Sequence, residues 1–261
     1  MTEQRSALKN VRIVLVQTWH PGNIGAAARA MRTMGLSQLV LVNPRRFPDD
    51  EATRMAAGGE SLLEQARVVE SLEDAVADCG AVVGLSARLR TLALPQFEEG
   101  DEMARELMSL AEEMPVALVF GRERSGLTND EIACCTHQLS LPANPDYPIL
   151  NLSQAVQVCA HELYRAWRHL NTDSSARIDS GIEVAAGDGE RERDLPPTRE
   201  QMQHFQQSLA NALQEAGFLN QPHARTLERL QNFYRRASPT RKELSLLQGA
   251  LRALTKSSDD A

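Results

Sequence analysis

Residues 11–36 read VRIVLVQTWHPGNIGAAARAMRTMGL, and the three parts of that stretch decide the fold. VRIVLVQ (11–17) is a nearly continuous aliphatic run, the composition of a strand covered on both faces. Pro21, Gly22, Asn23 and Gly25 form a corner after it. Small and apolar residues then predict a helix over 23–35, and strand, corner and helix together make the first half of a βαβ unit. The helix carries a single Arg29 among Ala26, Ala27, Ala28 and Ala30. Such an arginine is either snorkelling from a helix face to water or placed to meet a ligand.

The alternation continues to about residue 170. Further strands are expected at 38–43, 66–70, 81–86, 115–120 and 138–142, and helices at 72–79, 101–113, 128–135 and 151–169. Strands separated by helices require crossover connections, hence a parallel sheet with helices on both faces. Residues 171–197 lack apolar periodicity and are rich in Gly, Ser, Asp and Glu, which reads as an acidic linker. Beyond it the pattern is purely helical over 198–256. Thr198 with Gln201 forms a capping-box signature ahead of Met202, Phe205, Leu209 and Leu213. Gly217 can end that helix; Leu227, Leu230 and Phe233 mark a second, and Ser238-Pro239 opens a third.

At 261 residues the chain accommodates one ample domain and a small one. No apolar run approaches the roughly 20 residues needed to span a bilayer, and the N-terminus has no signal-peptide stretch, so a cytoplasmic, membrane-free protein is expected. Aromatics make up only 4%, which argues against base stacking on many rings as the main binding mode. The net charge of −7 hides an asymmetry: residues 1–47 and 222–256 each carry +6, and residues 48–221 carry −17. Two basic ends fit a polyanion touching part of the surface; chance clustering on solvated helix faces is the plainer alternative. Cys79, Cys134, Cys135 and Cys159 show neither CxxC nor zinc spacing, so reduced core thiols and no metal are expected. His161-Glu162 opens like a zinc-protease motif, but position 165 is Arg. GxSxG, GxGxxG and Walker-type loops are all missing.

What remains is a set of Gly- or Pro-punctuated loops directly after predicted strands: HPGNIGAAAR (20–29), GLSARLR (84–90), FGRERSGLTNDE (120–131) and ANPDYPILNLSQA (143–155). In an open α/β sheet the crevice beyond the strand C-termini is where ligands bind.

Asn23-x-Gly25-x-x-x-Arg29, then Gly121-Arg122-Glu123-x-x-Gly126-Leu127, then Leu150-Asn151-x-Ser153 resemble, in order, the three motifs of the SpoU (SPOUT) RNA methyltransferases. Residues 10–170 resemble more narrowly the bacterial tRNA 2′-O-methyltransferases acting at cytidine or uridine 32, and the acidic linker with helical extension matches as well. The resemblance implies a domain of residues 1–170 whose segment at about 115–169 forms a C-terminal trefoil knot, a device that composition cannot reveal. It also implies a homodimer, tRNA as partner and S-adenosylmethionine as cofactor. By motif matching, the cofactor would be held by Leu85, Ser86, Ala87, Gly121, Leu141, Pro148, Ile149 and Leu150. Many relatives carry Ser where this chain has Ile149, so Ser153 or backbone groups must supply any polar role there. A 2′-O-methyltransferase for rRNA or for another tRNA position, or a non-catalytic RNA-binding relative, are the alternatives; a nucleotide-dependent oxidoreductase lacks its glycine motif.

The resemblance implies a catalytic set of Arg29, Asn23, Glu123, Asn151 and Ser153. Guanidinium does not deprotonate in proteins, so Arg29 reads as a positioned cation for phosphate and developing alkoxide rather than a base. Asn23 sits where a helix N-cap belongs and serves as cap, substrate contact or both. Glu123 is either an anchor for Arg29 or for its loop, or an ordinary solvated carboxylate. Asn151 and Ser153 begin the last helix as caps or as groups locking the loop. The alanines around Arg29 suit a dimer interface or close packing within one chain. Arg225, Arg229, Arg235, Arg236, Arg241 and Lys242 make the C-terminal helices a candidate tRNA grip.

Overall fold

The computed structural model describes residues 6–86, 94–178, 195–219 and 226–259. Ala87, Arg225 and most of the expected linker lie outside the described residues. The chain divides into two compact units, residues 1–184 and 185–261.

The first unit is built on a seven-stranded sheet. Its strands are β1 (Val11–Val16), β2 (Gln38–Val42), β3 (Arg67–Val69), β4 (Ala81–Leu85), β5 (Gln96–Phe97), β6 (Val116–Phe120) and β7 (His137–Leu139). The spatial order is β3-β2-β1-β6-β4-β7-β5, and every pairing is parallel. All residues of β1 and β6 are buried, as continuous apolar strands between two helical layers must be. Alternate side chains feed two cores. Ile13, Leu15, Leu39, Leu41, Val83, Leu118 and Phe120 face one layer, and Val14, Val16, Val40, Val42, Val82, Ala117 and Val119 face the other.

The helices of this unit are α1 (Ser6–Lys9), α2 (Pro21–Thr33), α3 (Asp50–Ala56), α4 (Glu60–Glu64), α5 (Leu72–Val76), α6 (Gly100–Leu110), α7 (Asn129–Ala133) and α8 (Leu152–Ile178). Helices α2, α6 and α8 cover the first core; α5 and α7 cover the second. Two differences from the sequence reading have clear causes. Helix α2 begins at Pro21 rather than 23, because proline suits the first helical position. Helix α8 continues to Ile178, into the stretch read as linker.

The small residues of α2 are explained within the chain itself. Ala27, Ala28 and Ala30 are buried in the core. A Cβ on Gly25 would sit 2.0 Å from the Ala52 carbonyl oxygen of α3, and one on Gly59 would meet the Ala28 carbonyl at 3.1 Å. Backbone-to-backbone approach of α2 to α3 is what the smallest residues permit.

None of the four cysteines is in a disulfide. Burial pushes the Cys79 thiol up to about 12 and raises that of Cys159 as well, so neither is a thiolate near neutrality. Among the described residues no helix is long and apolar enough to cross a membrane. His161 and Glu162 build no metal motif; Glu162 instead pairs with Arg165 at 2.8 Å.

The second unit contains α9 (Arg199–Glu215), α10 (Thr226–Ala237) and α11 (Arg241–Asp259). Thr198 and Gln201 form the expected capping box. A small core of Met202, Phe205 and Leu244 is completed by Leu209, Tyr234 and Leu247, with Phe205 and Tyr234 edge to face at 5.1 Å. Arg229, Arg236 and Lys242 are exposed, and Arg235 and Arg241 are half-buried.

Candidate active site

The register brings Leu15, Phe120, Leu85 and Leu139 into one row across β1, β6, β4 and β7. Just beyond this row lie the loops that the sequence singled out. The loop after β6 is the most constrained. Arg122 and Gly126 form a small antiparallel bridge, with Gly126 N–H donating to the Arg122 carbonyl at 2.9 Å and the reverse bond at 3.2 Å. Gly126 has φ +66°, a left-handed conformation suited to glycine. A Cβ on Gly121 would lie 2.2 Å from Gly126 C and 2.4 Å from Leu127 N, so only glycine fits where the loop folds back on itself.

Glu123 projects from that loop toward the start of α2. Its carboxylate accepts the Trp19 N–H at 3.0 Å, the His20 N–H at 3.1 Å and the Asn23 Nδ2–H at 2.9 Å. Burial alone would raise its pKa; these three donors and the Glu123 backbone N–H outweigh that and hold the carboxyl below its ordinary range. Asn23 Oδ1 in turn accepts from Asn151 Nδ2 at 3.1 Å. Asn151 Oδ1 accepts from the Ser153 N–H at 2.9 Å and from the Ser153 hydroxyl at 2.8 Å, while Gln154 Oε1 accepts the Asn151 N–H at 3.0 Å. That reciprocal pair caps α8. One chain of side chains, Glu123–Asn23–Asn151–Ser153, thus ties the three loops together.

One sequence expectation is corrected here and one pair of alternatives is resolved. Asn23 is not the N-cap of α2: the cap position is His20, which supplies no side-chain bond. With Pro21 opening the helix, Asn23 falls inside the first turn, and Glu123 holds the entering N–H groups from another loop. Of the two anchoring partners considered for Glu123, the structure provides the loop and not Arg29.

The sequence reading passed over Arg122 and Glu131. Arg122 makes two bonds to Glu131, at 2.9 and 2.8 Å, and one to Gln17 Oε1 at 2.9 Å. Glu131 also completes a capping box with Thr128 at the start of α7. Burial opposes its ionisation, but Arg122 and the Thr128 N–H hold its pKa low. The signal was present as Thr128-x-x-Glu131; what it rivets, the loop carrying Glu123, was not.

The loops enclose a cavity of about 170 Å³. Leu85, Ser86, Gly121, Leu141, Pro148, Ile149 and Leu150 line it, joined by Phe120, Leu139 and residues 122–126. Seven of the eight residues matched to the cofactor therefore surround one space, and the eighth is Ala87. The walls are chiefly aliphatic, with the backbone of the Gly121–Gly126 loop along one side. Arg29 stands apart. Six positions along α2 from Asn23, it is about 9 Å further on and about 120° round the axis. It is exposed and does not line the cavity, and its side chain has no partner among the described residues.

Residues 10–161 match the SpoU rRNA methylase family, and residues 200–261 match the C-terminal domain of the tRNA methyltransferase TrmJ. The tRNA (cytidine/uridine-2′-O-)-methyltransferase TrmJ of Pectobacterium atrosepticum is 42% identical over 254 residues, covering 97% of this chain and 100% of that protein. Among solved structures, TrmJ from Z. mobilis ZM4 superposes with a TM-score of 0.73 at 30% identity, over 94% of this chain and 98% of that one. A probable methylase family protein from Haemophilus influenzae Rd KW20 gives 0.60 at 41% identity, over 97% and 98%. A family match over more than half the chain and a full-length relative agree with the linked loops at the sheet edge: the chain belongs to the SpoU methylase family.

Proposed function

We propose that this protein is a tRNA (cytidine/uridine-2′-O-)-methyltransferase acting on the ribose at anticodon-loop position 32. The observation that carries the reading is one chain matching a methylase family on its sheet domain and the TrmJ C-terminal domain on its helices. The 2′-hydroxyl exists only in RNA and gives the enzyme its substrate class.

The cavity fits S-adenosylmethionine: aliphatic walls suit an adenine ring and a methionine chain, and the backbone groups of a bent loop suit its polar edges. Leu85, Ser86, Gly121, Leu141, Pro148, Ile149 and Leu150 would hold it. When bound, it supplies an electrophilic methyl group. Ile149 is 65% exposed and carries no hydroxyl, and Ser153 does not line the cavity, so backbone groups would supply the polarity at that wall.

The chain's own residues then divide the work. Arg29 is exposed, with no acidic partner among the described residues, ready for the target phosphate and the developing alkoxide. The hydroxyl proton leaves to a phosphate oxygen or to water. Asn23 and Asn151 are positioning residues, and their amides set the α2 loop against the cavity loops. Glu123 fixes the entry to α2 and so the direction in which Arg29 is presented.

The same reading includes a trefoil knot over about 115–169, supported by the placement of β6 between β1 and β4 and by the convergence of the 121–126 and 148–150 loops on one cavity. It includes a homodimer, supported by the exposed Tyr147, Ile149 and Val158, and action in the cytoplasm, where tRNA is found. Light scattering on the purified protein checks the dimer. The decisive test combines labelled S-adenosylmethionine with tRNA transcripts and mapping of the 2′-O-methyl group. Label at position 32 is expected; label only in rRNA, or at another tRNA ribose, would replace this reading.

A further inference from the structure

Trp19 is 50% exposed in a chain with only two tryptophans. It lies in the loop between β1 and α2, and its N–H is one of the three donors to Glu123. The Arg45 guanidinium lies over the ring, with Cζ 3.3 Å from the ring centroid. The Arg45 N–H donates to the Thr18 carbonyl at 3.1 Å, so the loops bearing the two side chains are bonded to each other. The neighbouring Arg46 is spent on Asp49 at 3.1 Å and Glu51 at 3.8 Å. Arg45 has no acidic partner among the described residues, and methyl transfer as proposed uses neither its side chain nor the ring of Trp19.

We propose that Trp19 and Arg45 form a nucleotide-holding platform beside the active site, where a base of the RNA loop flanking the target ribose stacks and its phosphate meets Arg45. The inference rests on the tRNA reading above and deepens it. A flat ring with a delocalised cation on it offers π surface and positive charge together, which is what unpaired nucleotides are held by. One ring and one guanidinium match the size of a single nucleotide, whereas a stable protein interface takes roughly 800 Å² per partner. Because the Trp19 backbone is bonded to Glu123, a base seated there is registered against the Glu123–Asn23–Asn151 chain.

The full-length protein tests this. Trp167, half-buried and stacked on Tyr164, is replaced by Phe, so that Trp19 is the sole tryptophan, and an anticodon stem–loop RNA is titrated in. Saturable quenching is expected. In the native background, Trp19→Ala should raise the KM for tRNA about tenfold, the order of one lost stacking contact, with kcat and S-adenosylmethionine affinity within about twofold. Trp19→Phe should recover most of the loss, and Arg45→Ala should reduce the salt slope of tRNA binding by about one. Wild-type KM and tRNA affinity in Trp19→Ala, or absence of quenching, overturns the platform. Conversion of a dimer to a monomer by Trp19→Ala would make the surface a protein contact and overturn it as well. Should Trp19→Ala lose cofactor binding through misfolding, the quenching titration and Arg45→Ala still decide. A wild-type protein that methylates no tRNA refutes the proposed function, whereas the quenching titration judges the platform separately.

Discussion

Among the described residues the Glu123 carboxylate is held by neutral donors: the Asn23 amide, the Trp19 and His20 backbone N–H groups and its own N–H. Folding therefore lowers its pKa, and the anion stabilises the native state above the ordinary carboxylate range. That contribution is lost as pH falls through the folded value. Melting curves from neutral pH to below the usual carboxylate pKa of about 4.3 should show the wild type losing stability on acidification. Glu123→Gln should lose less, starting from a lower melting temperature. Arg29 is the opposite case, an exposed charge with no partner among the described residues. Arg29→Ala should leave the melting temperature unchanged and slow single-turnover methyl transfer by about a hundred- to a thousandfold, the range for removing one preorganised charge donor. Near-normal turnover would end its role as positioned cation. Neither distinction is written in the residue types, since a Glu in one motif and an Arg in another that the fold brings together suggest a pair. Only the geometry shows that Glu123 turns to the start of α2 and does not pair with Arg29.

Among the elements, α2 carries the sharpest steric demand. Gly25→Ala would drive a Cβ into the Ala52 carbonyl, and overpacking of that kind costs about 1–3 kcal/mol. Denaturant unfolding should register the loss, with S-adenosylmethionine affinity falling less than stability because the cavity is lined by other loops. The longer strands were legible in the sequence because a strand buried on both faces must be continuously apolar, as VRIVLV and VALVF are. Helices α3 and α4 were not legible. They run for seven and five residues, and α4 opens on Gly59 with no side-chain cap to announce it, whereas the equally short α5 and α7 open on the capping residues Ser71 and Thr128. Strand β5 has two residues, and its pairing with β7 is a tertiary fact alone. Helix α8 ran past its expected end, since polar, helix-compatible residues carry no stop signal without a terminal Gly or Pro.

For the whole molecule, the division into units 1–184 and 185–261 locates the test of substrate grip. Truncation after Val184 leaves both cores of the sheet domain intact. Cofactor affinity should stay within about twofold, whereas tRNA affinity at matched salt should fall at least tenfold, because phosphate contacts dominate nucleic-acid binding. Unchanged tRNA affinity would remove the C-terminal helices from substrate recognition. What the sequence determined by itself was the class of architecture, the places where loops leave strands, and the three motifs that match the family. Those follow from local composition: apolar runs bury, Gly and Pro turn, and motif spacing survives in one dimension. The tertiary structure alone decided that Asn23 links two loops instead of capping its own helix, that Arg122 and Glu131 brace the loop bearing Glu123, and that Trp19 lies under Arg45. Each of these joins residues between 9 and 128 positions apart, and such contacts exist only once parallel pairing has brought the strand ends level.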